Sequence, residues 1–392
     1  MNSYNSLYVK ILLIVFSLII IFSNLTDWQI YGSITGYNIF MFLFFLFAAL
    51  TLIDLKRYYG LQNKYIFIPL FIFFCWWFFR SLLSLSNPLF YNTKLWQWIL
   101  VFILFTNYIS QNTRIGYTAL FAYVLSAIVI LMIYSFGNNV SYESGRLKVF
   151  DSCNPNTIGN ITSNALLIIV FFGLKDVLKL GWIRILLMLA TPGLFIVMIE
   201  TGSRGALIYL CCGLLCYLLF SKIKIKWKVL EAFILGLISM VAYSYLSRSG
   251  VFQSRWIEDD LTQLGGRNFL WSSSFRLFLE KPLVGYGDGG FYSYLQEDPH
   301  NLYLVLLLTS GLIGFLVFMI FLYKIFKTTI LNIVLQKNIL CFVLYIISLV
   351  AFFKEGSVLN SLDTWIKLSI IIGLSTSINE VNNEKELNKN HL

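Results

Sequence analysis

Apolar residues run through this chain in blocks of about 16–22, the length at which a helix crosses the hydrocarbon of a bilayer. The blocks fall at residues 7–23, 37–53, 65–85, 95–109, 117–136, 157–174, 182–199, 205–220, 229–246, 300–323, 338–353 and 363–377. In lipid no water is available to the backbone, so a spanning segment is a helix or part of a closed barrel. Barrel strands alternate apolar and polar positions, whereas the stretch 39–50 is apolar on every side. The sequence therefore predicts an all-α integral membrane protein with about twelve transmembrane helices. Charged residues make up only 12% of the chain, about half the share in a soluble globular protein. That is too little charge to cover a water-facing surface. The first block has no small-residue cleavage site behind it and reads as an anchor rather than a signal peptide. With no long repeat and no soluble domain, residues 1–392 read as a single transmembrane domain.

The net charge is +10. On a soluble chain that would suggest nucleic acid; on a chain of spans it suggests cytoplasmic loops, and the charges sort accordingly. With the N-terminus inside, the inner loops hold Lys56, Arg57, Lys64, Arg114, Lys175, Lys179, the basic run 222–228, Lys324, Lys327 and Lys337. The short outer loops hold Lys94, Arg146, Lys148 and Lys354, with Arg80 and Arg204 at span ends. Both termini are then cytoplasmic. Five of the six cysteines lie in apolar spans and only Cys153 sits in a loop, so no disulfide framework or zinc pattern is expected.

One external loop, 247–299, is far longer than the rest, and long loops in compact proteins are often functional. Within it, 268–280 predicts a helix with Trp271, Phe275, Phe278 and Leu279 on one face and Ser272, Arg276 and Glu280 on the other. Such a helix lies on the outer membrane surface or packs as a lid over the bundle. His300 follows Asp298 and Pro299, which are suited to the N-cap and first turn of a helix. The spacing puts His300 in that first turn, where the helix dipole disfavours the imidazolium and a neutral ring can act as general base. The competing reading is a structural histidine at the interface. Arg204, in the turn Thr201-Gly-Ser-Arg-Gly205, stands beside a helix start that Ser203 can cap. An arginine at a helix N-terminus makes an anion site; a snorkelling arginine is the alternative. Arg267 opens the loop helix after Gly265-Gly266. Gly285-Tyr-Gly-Asp-Gly-Gly290 has no strand before it and reads as a tight turn, not a nucleotide fingerprint. Asn154-Pro-Asn156 precedes a further span. Arg204, Arg267, His300 and Asn156 all fall on one expected side and describe a site for an anionic ligand with one base.

Taken in order, Thr201-Gly-Ser-Arg-Gly-Ala206, Gly266-Arg-Asn-Phe-Leu-Trp271, Glu280-Lys-Pro-Leu-Val-Gly-Tyr-Gly287 and His300-Asn-Leu-Tyr-Leu304, running into Ser310-Gly-Leu-Ile-Gly314, resemble the O-antigen ligase and polymerase superfamily. The resemblance implies a GT-C-like glycosyltransferase that needs no metal, cofactor or nucleotide sugar. It implies a donor glycan carried on undecaprenyl pyrophosphate and a reaction on the periplasmic face of the bacterial inner membrane. It also implies pyrophosphate binding by Arg204 and Arg267, and activation of the acceptor hydroxyl by His300. Ser203, Asn301, Asp298, Arg276 and Asn156 are the supporting candidates. The expected partners are the lipid-linked oligosaccharide, membrane lipid and a chain-length regulator protein, with no nucleic acid.

A polymerase would extend a lipid-linked repeat unit, and a ligase would transfer the glycan to lipid A core. The chain's richness in Phe, Ile, Asn and Lys, common in polymerases of this size, favours the polymerase. A lipid-linked oligosaccharide flippase would instead need a polar central cavity and charges at mid-depth.

Overall fold

Helices account for nearly all of the regular structure, as a backbone in lipid requires. The computed structural model describes residues 7–31, 33–54, 63–83, 93–137, 140–143, 145–150, 153–174, 180–221, 267–334, 339–354 and 361–377, with single positions 178, 224 and 244. In chain order these form α1 (Leu7–Ser23), the hairpin β1 (Gln29–Tyr31) and β2 (Ile34–Thr35), α2 (Gly36–Thr51), α3 (Lys64–Leu83), α4 (Thr93–Ser110) and α5 (Thr113–Phe136). A second hairpin, β3 (Val140–Glu143) and β4 (Arg146–Val149), precedes α6 (Pro155–Leu174), α7 (Trp182–Glu200) and α8 (Arg204–Phe220). After them come α9 (Arg267–Glu280), α10 (Tyr292–Leu295), α11 (Leu302–Val334), α12 (Ile339–Phe352) and α13 (Leu362–Thr376). Each expected span other than 229–246 coincides with a helix. That span apart from position 244, the basic run apart from Lys224, loop residues 247–266 and the tail carrying His391 lie outside the described residues. The two hairpins were not anticipated from the sequence.

By length and composition α3, α5, α6, α7 and α11 can cross a membrane, and several shorter helices are equally apolar. Exposure carries the same message. On α7, Trp182, Ile185, Leu186 and Leu189 are all more than half exposed. A stripe of this kind invites association in water, but hydrocarbon tails are as apolar as leucine and accept it. In the most apolar window of α7 only 28% is buried, against 83% for α6, so α6 is a central helix and α7 a peripheral one. The protein is a mainly α-helical membrane protein.

The chain divides into two compact units, residues 1–51 with 117–261, and residues 52–116 with 262–392. In the first unit α6 packs against α7 and α8, α1 against α2, and β4 against the start of α6. Gly159 makes the α6–α8 approach possible: a Cβ there would stand 2.9 Å from Ser203 Cβ and 3.0 Å from Ala206 Cβ. The second hairpin is held to this unit by Tyr142, whose hydroxyl donates to Glu200 Oε2 at 2.7 Å. Within the hairpin Glu143 pairs with Lys148, which holds the exposed Glu143 carboxyl below its ordinary range.

In the second unit α13 packs along α4, and α11 along α3 and α12. Aromatic rings fill the space between them: Phe102 meets Trp365 edge-on at 5.2 Å, and Phe73 meets Phe318 at 5.0 Å. The main departure from the expected helix is in α11. Gly311 has φ 65° and ψ −170°, which no helix accommodates, so α11 is two helices joined across a break. A break inside an apolar span orphans backbone groups, each costing roughly 1–3 kcal/mol if buried without a partner. Here the turn after α9 satisfies them. Leu308 and Thr309 carbonyls accept from Tyr286 N at 2.7 Å and Gly287 N at 2.9 Å, while Leu312 N donates to Pro282 O at 2.8 Å and Ile313 N to Leu283 O at 3.3 Å. The Ser310 carbonyl accepts from Trp76 Nε1 of α3 at 2.9 Å. The glycine-rich turn and the Ser310–Gly314 segment, which read in sequence as separate features, are thus two sides of one backbone junction. Gly285 has φ 64°, and a Cβ there would stand 2.6 Å from Gly311 N and 2.7 Å from Leu308 O.

Candidate functional site

Each unit holds its own set of the expected site residues, and each set is built around helix starts. In the first unit α6 opens at Pro155, which gives up no hydrogen bond at the first helical position. Asn154 Oδ1 accepts from Asn156 N at 2.9 Å, closing the entry turn. The turn between α7 and α8 reverses at Gly202, φ 61°. As expected, Ser203 is the N-cap of α8, its hydroxyl accepting from Ala206 N at 3.4 Å. Ser203 is buried and Arg204 half-buried.

One residue joins these two helix starts. Arg146, on β4, donates from Nε to the Thr201 carbonyl at 2.9 Å and from Nη2 to Asn156 Oδ1 at 2.8 Å. The start of α6 and the turn that leads from α7 into α8 are therefore tied together by a guanidinium, with Arg204 at the first position of α8. Two neighbouring helix starts and two arginines make a local field suited to an anion. In sequence Arg146 was only one of several charges in an external loop. Nothing local announced the role, because β4 and its partner strand were not foreseen.

In the second unit Arg267 is the first residue of α9, and its Nη1 donates to the Lys354 carbonyl, just after α12, at 3.4 Å. The faces of α9 differ from the expected ones. Ser274 and Leu277 are the buried positions, Trp271 and Phe278 are half-buried, and Phe275 and Leu279 are more than half exposed. The apolar stripe is split because α9 packs on α11 and α10 through part of it only, leaving Phe275 and Leu279 outside. Leu277 joins Tyr286, Phe291 and Leu308 in a small core beneath it. Arg276 is exposed.

His300 does not lie in the first turn of a helix, and Asp298 is not its cap. α11 begins two residues later, at Leu302, and Asn301 is the capping residue: its Oδ1 accepts from Leu304 N at 3.2 Å. The reason is visible in the backbone. His300 has φ 51°, a left-handed conformation that interrupts any helix entering from Pro299. Asp298 uses Oδ1 to accept the His300 backbone N–H at 2.6 Å, so that oxygen binds main chain and not the imidazole. On the other side of Pro299, Trp271 Nε1 of α9 donates to the Pro299 carbonyl at 2.9 Å. The main chain around His300 is thus fixed by Asp298, Trp271 and Asn301, while its side chain stays exposed. Strained, over-determined backbone is where function tends to reside. Tyr292, whose hydroxyl reaches Asp298 Oδ2 at 3.5 Å, has its pKa pushed up to about 12 by burial and then by the Asp298 charge. It stays a neutral donor at any physiological pH.

The structure thus assembles Asn156, Ser203 and Arg204 with Arg146 in one unit, and Arg267, Asp298, His300 and Asn301 with Trp271 in the other. No curated protein sequence matches the chain. Residues 185–319 match the family described as O-antigen ligase. The matched stretch is about a third of the chain, and it runs from α7 through the break in α11, taking in Arg204, Arg267 and His300. That stretch is similar to the O-antigen ligase family, in line with the superfamily that the motifs resemble.

Proposed function

We propose that the protein is an O-antigen or related surface-polysaccharide polymerase. It transfers a glycan from undecaprenyl pyrophosphate to a lipid-linked repeat unit on the outer face of the bacterial inner membrane. The observation that carries this reading is the pinned, exposed His300, within a family-matched segment that also holds Arg204 and Arg267. Chemically the reaction needs two things. The departing pyrophosphate gains negative charge as the anomeric C–O bond breaks, and guanidinium groups with helix N-termini stabilise that charge. The acceptor hydroxyl loses a proton as the new C–O bond forms, and a histidine has the pKa range to take it. Arg204 and Arg267 supply the first need and His300 the second. Arg146 and Asn156 keep the Arg204 turn in place; Asp298, Asn301 and Trp271 do so for His300.

A ligase would use the same donor machinery with lipid A core as acceptor. Deleting the coding sequence and resolving lipopolysaccharide on a gel separates the two. Loss of a polymerase leaves core carrying a single repeat unit, which is the expected pattern. Core with no repeat unit would make the protein a ligase, and an unchanged ladder would exclude both.

A further inference from the structure

Arg80 stands in the last turn of α3 and was expected only as a charge at a span end. Its guanidinium does something more specific. Nε donates to the Val284 carbonyl at 2.8 Å and Nη2 to the Gly285 carbonyl at 2.9 Å. A planar fork that reaches two successive carbonyls is a geometry arginine provides and lysine does not. The neighbouring side chains of the same helix end act on the same region. Ser81 Oγ accepts from Asp288 N at 3.2 Å, and Trp76 holds the Ser310 carbonyl. The end of α3 therefore grips the glycine-rich turn at 284–288 and the break in α11 at once.

From that turn a chain of contacts leads to His300. Tyr286, next to Gly285, donates to Glu280 Oε2 of α9 at 2.8 Å. Burial first, then the Glu280 carboxylate, raises the Tyr286 pKa and keeps the hydroxyl a donor. Nine residues earlier on α9, Trp271 holds the Pro299 carbonyl. The outer segment of α11, Leu302 to the break, closes the circuit, since its last carbonyls are those bonded by the turn. α3, the turn, α9, the His300 segment and the first part of α11 are joined in one circuit of hydrogen bonds and main chain, and Arg80 is its charged fastening.

We propose that Arg80 is a positioning residue for the transfer reaction: by fixing the 284–285 turn it sets the location of the exposed His300 ring. The proposal rests on His300 being the base. Misplacing a catalytic group by about 1 Å costs as much as about 10²-fold in rate, so a residue that never touches substrate can have a large kinetic effect.

The test uses the full-length protein, purified and supplied with lipid-pyrophosphate-linked repeat units. Arg80→Ala and Arg80→Lys are made in the wild-type and His300→Asn backgrounds, with membrane abundance checked by immunoblot. In the wild-type background Arg80→Ala is expected to lower kcat by about 10- to 100-fold with a much smaller change in KM, and Arg80→Lys to recover only part of the loss. In the His300→Asn background Arg80→Ala should change the residual rate by less than about two-fold, because groups that act as a unit are not additive. Two results would overturn the proposal: a wild-type rate for Arg80→Ala, or the same fold-loss in both backgrounds, which would give Arg80 a separate role. If Arg80→Ala does not accumulate in the membrane, Arg80→Lys carries both comparisons. A fully active His300→Asn would instead remove the reading of His300 on which the proposal stands.

Discussion

Replacing His300 by asparagine is expected to lower the transfer rate by about 10²–10⁴-fold, the range that one general base contributes, with the protein still folded and in the membrane. Asparagine is the informative substitution. The His300 backbone is left-handed, φ 51°, and asparagine tolerates that conformation better than alanine does. An alanine variant would mix the loss of a base with a strained backbone. The asparagine variant keeps the Asp298 contact to the main-chain N–H, the Trp271 contact to Pro299 and the Asn301 cap, since none of these uses the imidazole. Because the side chain is exposed, its removal leaves no cavity. Polymer synthesis against membrane abundance checks the prediction. A normal ladder of chain lengths from His300→Asn would remove the base from this assignment.

The second large effect is structural. Gly311→Ala is expected to leave little folded protein. A backbone at φ 65° and ψ −170° is open almost solely to glycine and costs roughly 1–3 kcal/mol in any other residue. A Cβ at Gly311 would also press into the Leu283 carbonyl and stand 2.5 Å from Val284 N. The turn would have to move away, and the bonds to Leu308, Thr309, Leu312 and Ile313 would weaken together, each worth roughly 0.5–1.5 kcal/mol net. Gly145→Ala is the control. It also has a positive φ, 72°, but nothing lies within 4 Å of an added Cβ. It should lose only the strain. Thermal unfolding in detergent, followed for both variants, should show a far larger drop for Gly311→Ala. Equal drops would mean that the junction between the turn and α11 contributes nothing beyond glycine's backbone freedom.

These two residues show which parts of the molecule could be read from the chain. Hydropathy locates helices well because lipid leaves the backbone one solution per span, and so α1 to α8 and α11 to α13 stand where apolar blocks predict. Hydropathy is blind to the break in α11, since residues on both sides of Gly311 are apolar and the pairing segment lies about 25 positions earlier. The cap of α11 illustrates a different failure. Asp298-Pro299 has the chemistry of a helix start, but the same carboxylate can bind the main chain two residues on, and that local alternative wins. Arg80, Arg146 and Trp271 were legible only as charge or hydrophobicity. Their roles come from carbonyl and amide partners on other elements, at separations such as 204 residues for Arg80 and Val284. By contrast Ser203 as a cap followed from its position alone, because its partner is three residues away.

The reaction itself can be followed with purified components. Purified full-length protein, reconstituted in lipid, is given undecaprenyl-pyrophosphate-linked repeat units with no nucleotide sugar. Lipid-linked products of two and more repeats are expected, with one undecaprenyl pyrophosphate released for each linkage formed. If no glycan leaves its lipid carrier under these conditions, or if chains lengthen only when a nucleotide sugar is added, the protein is not a polymerase of lipid-linked repeat units.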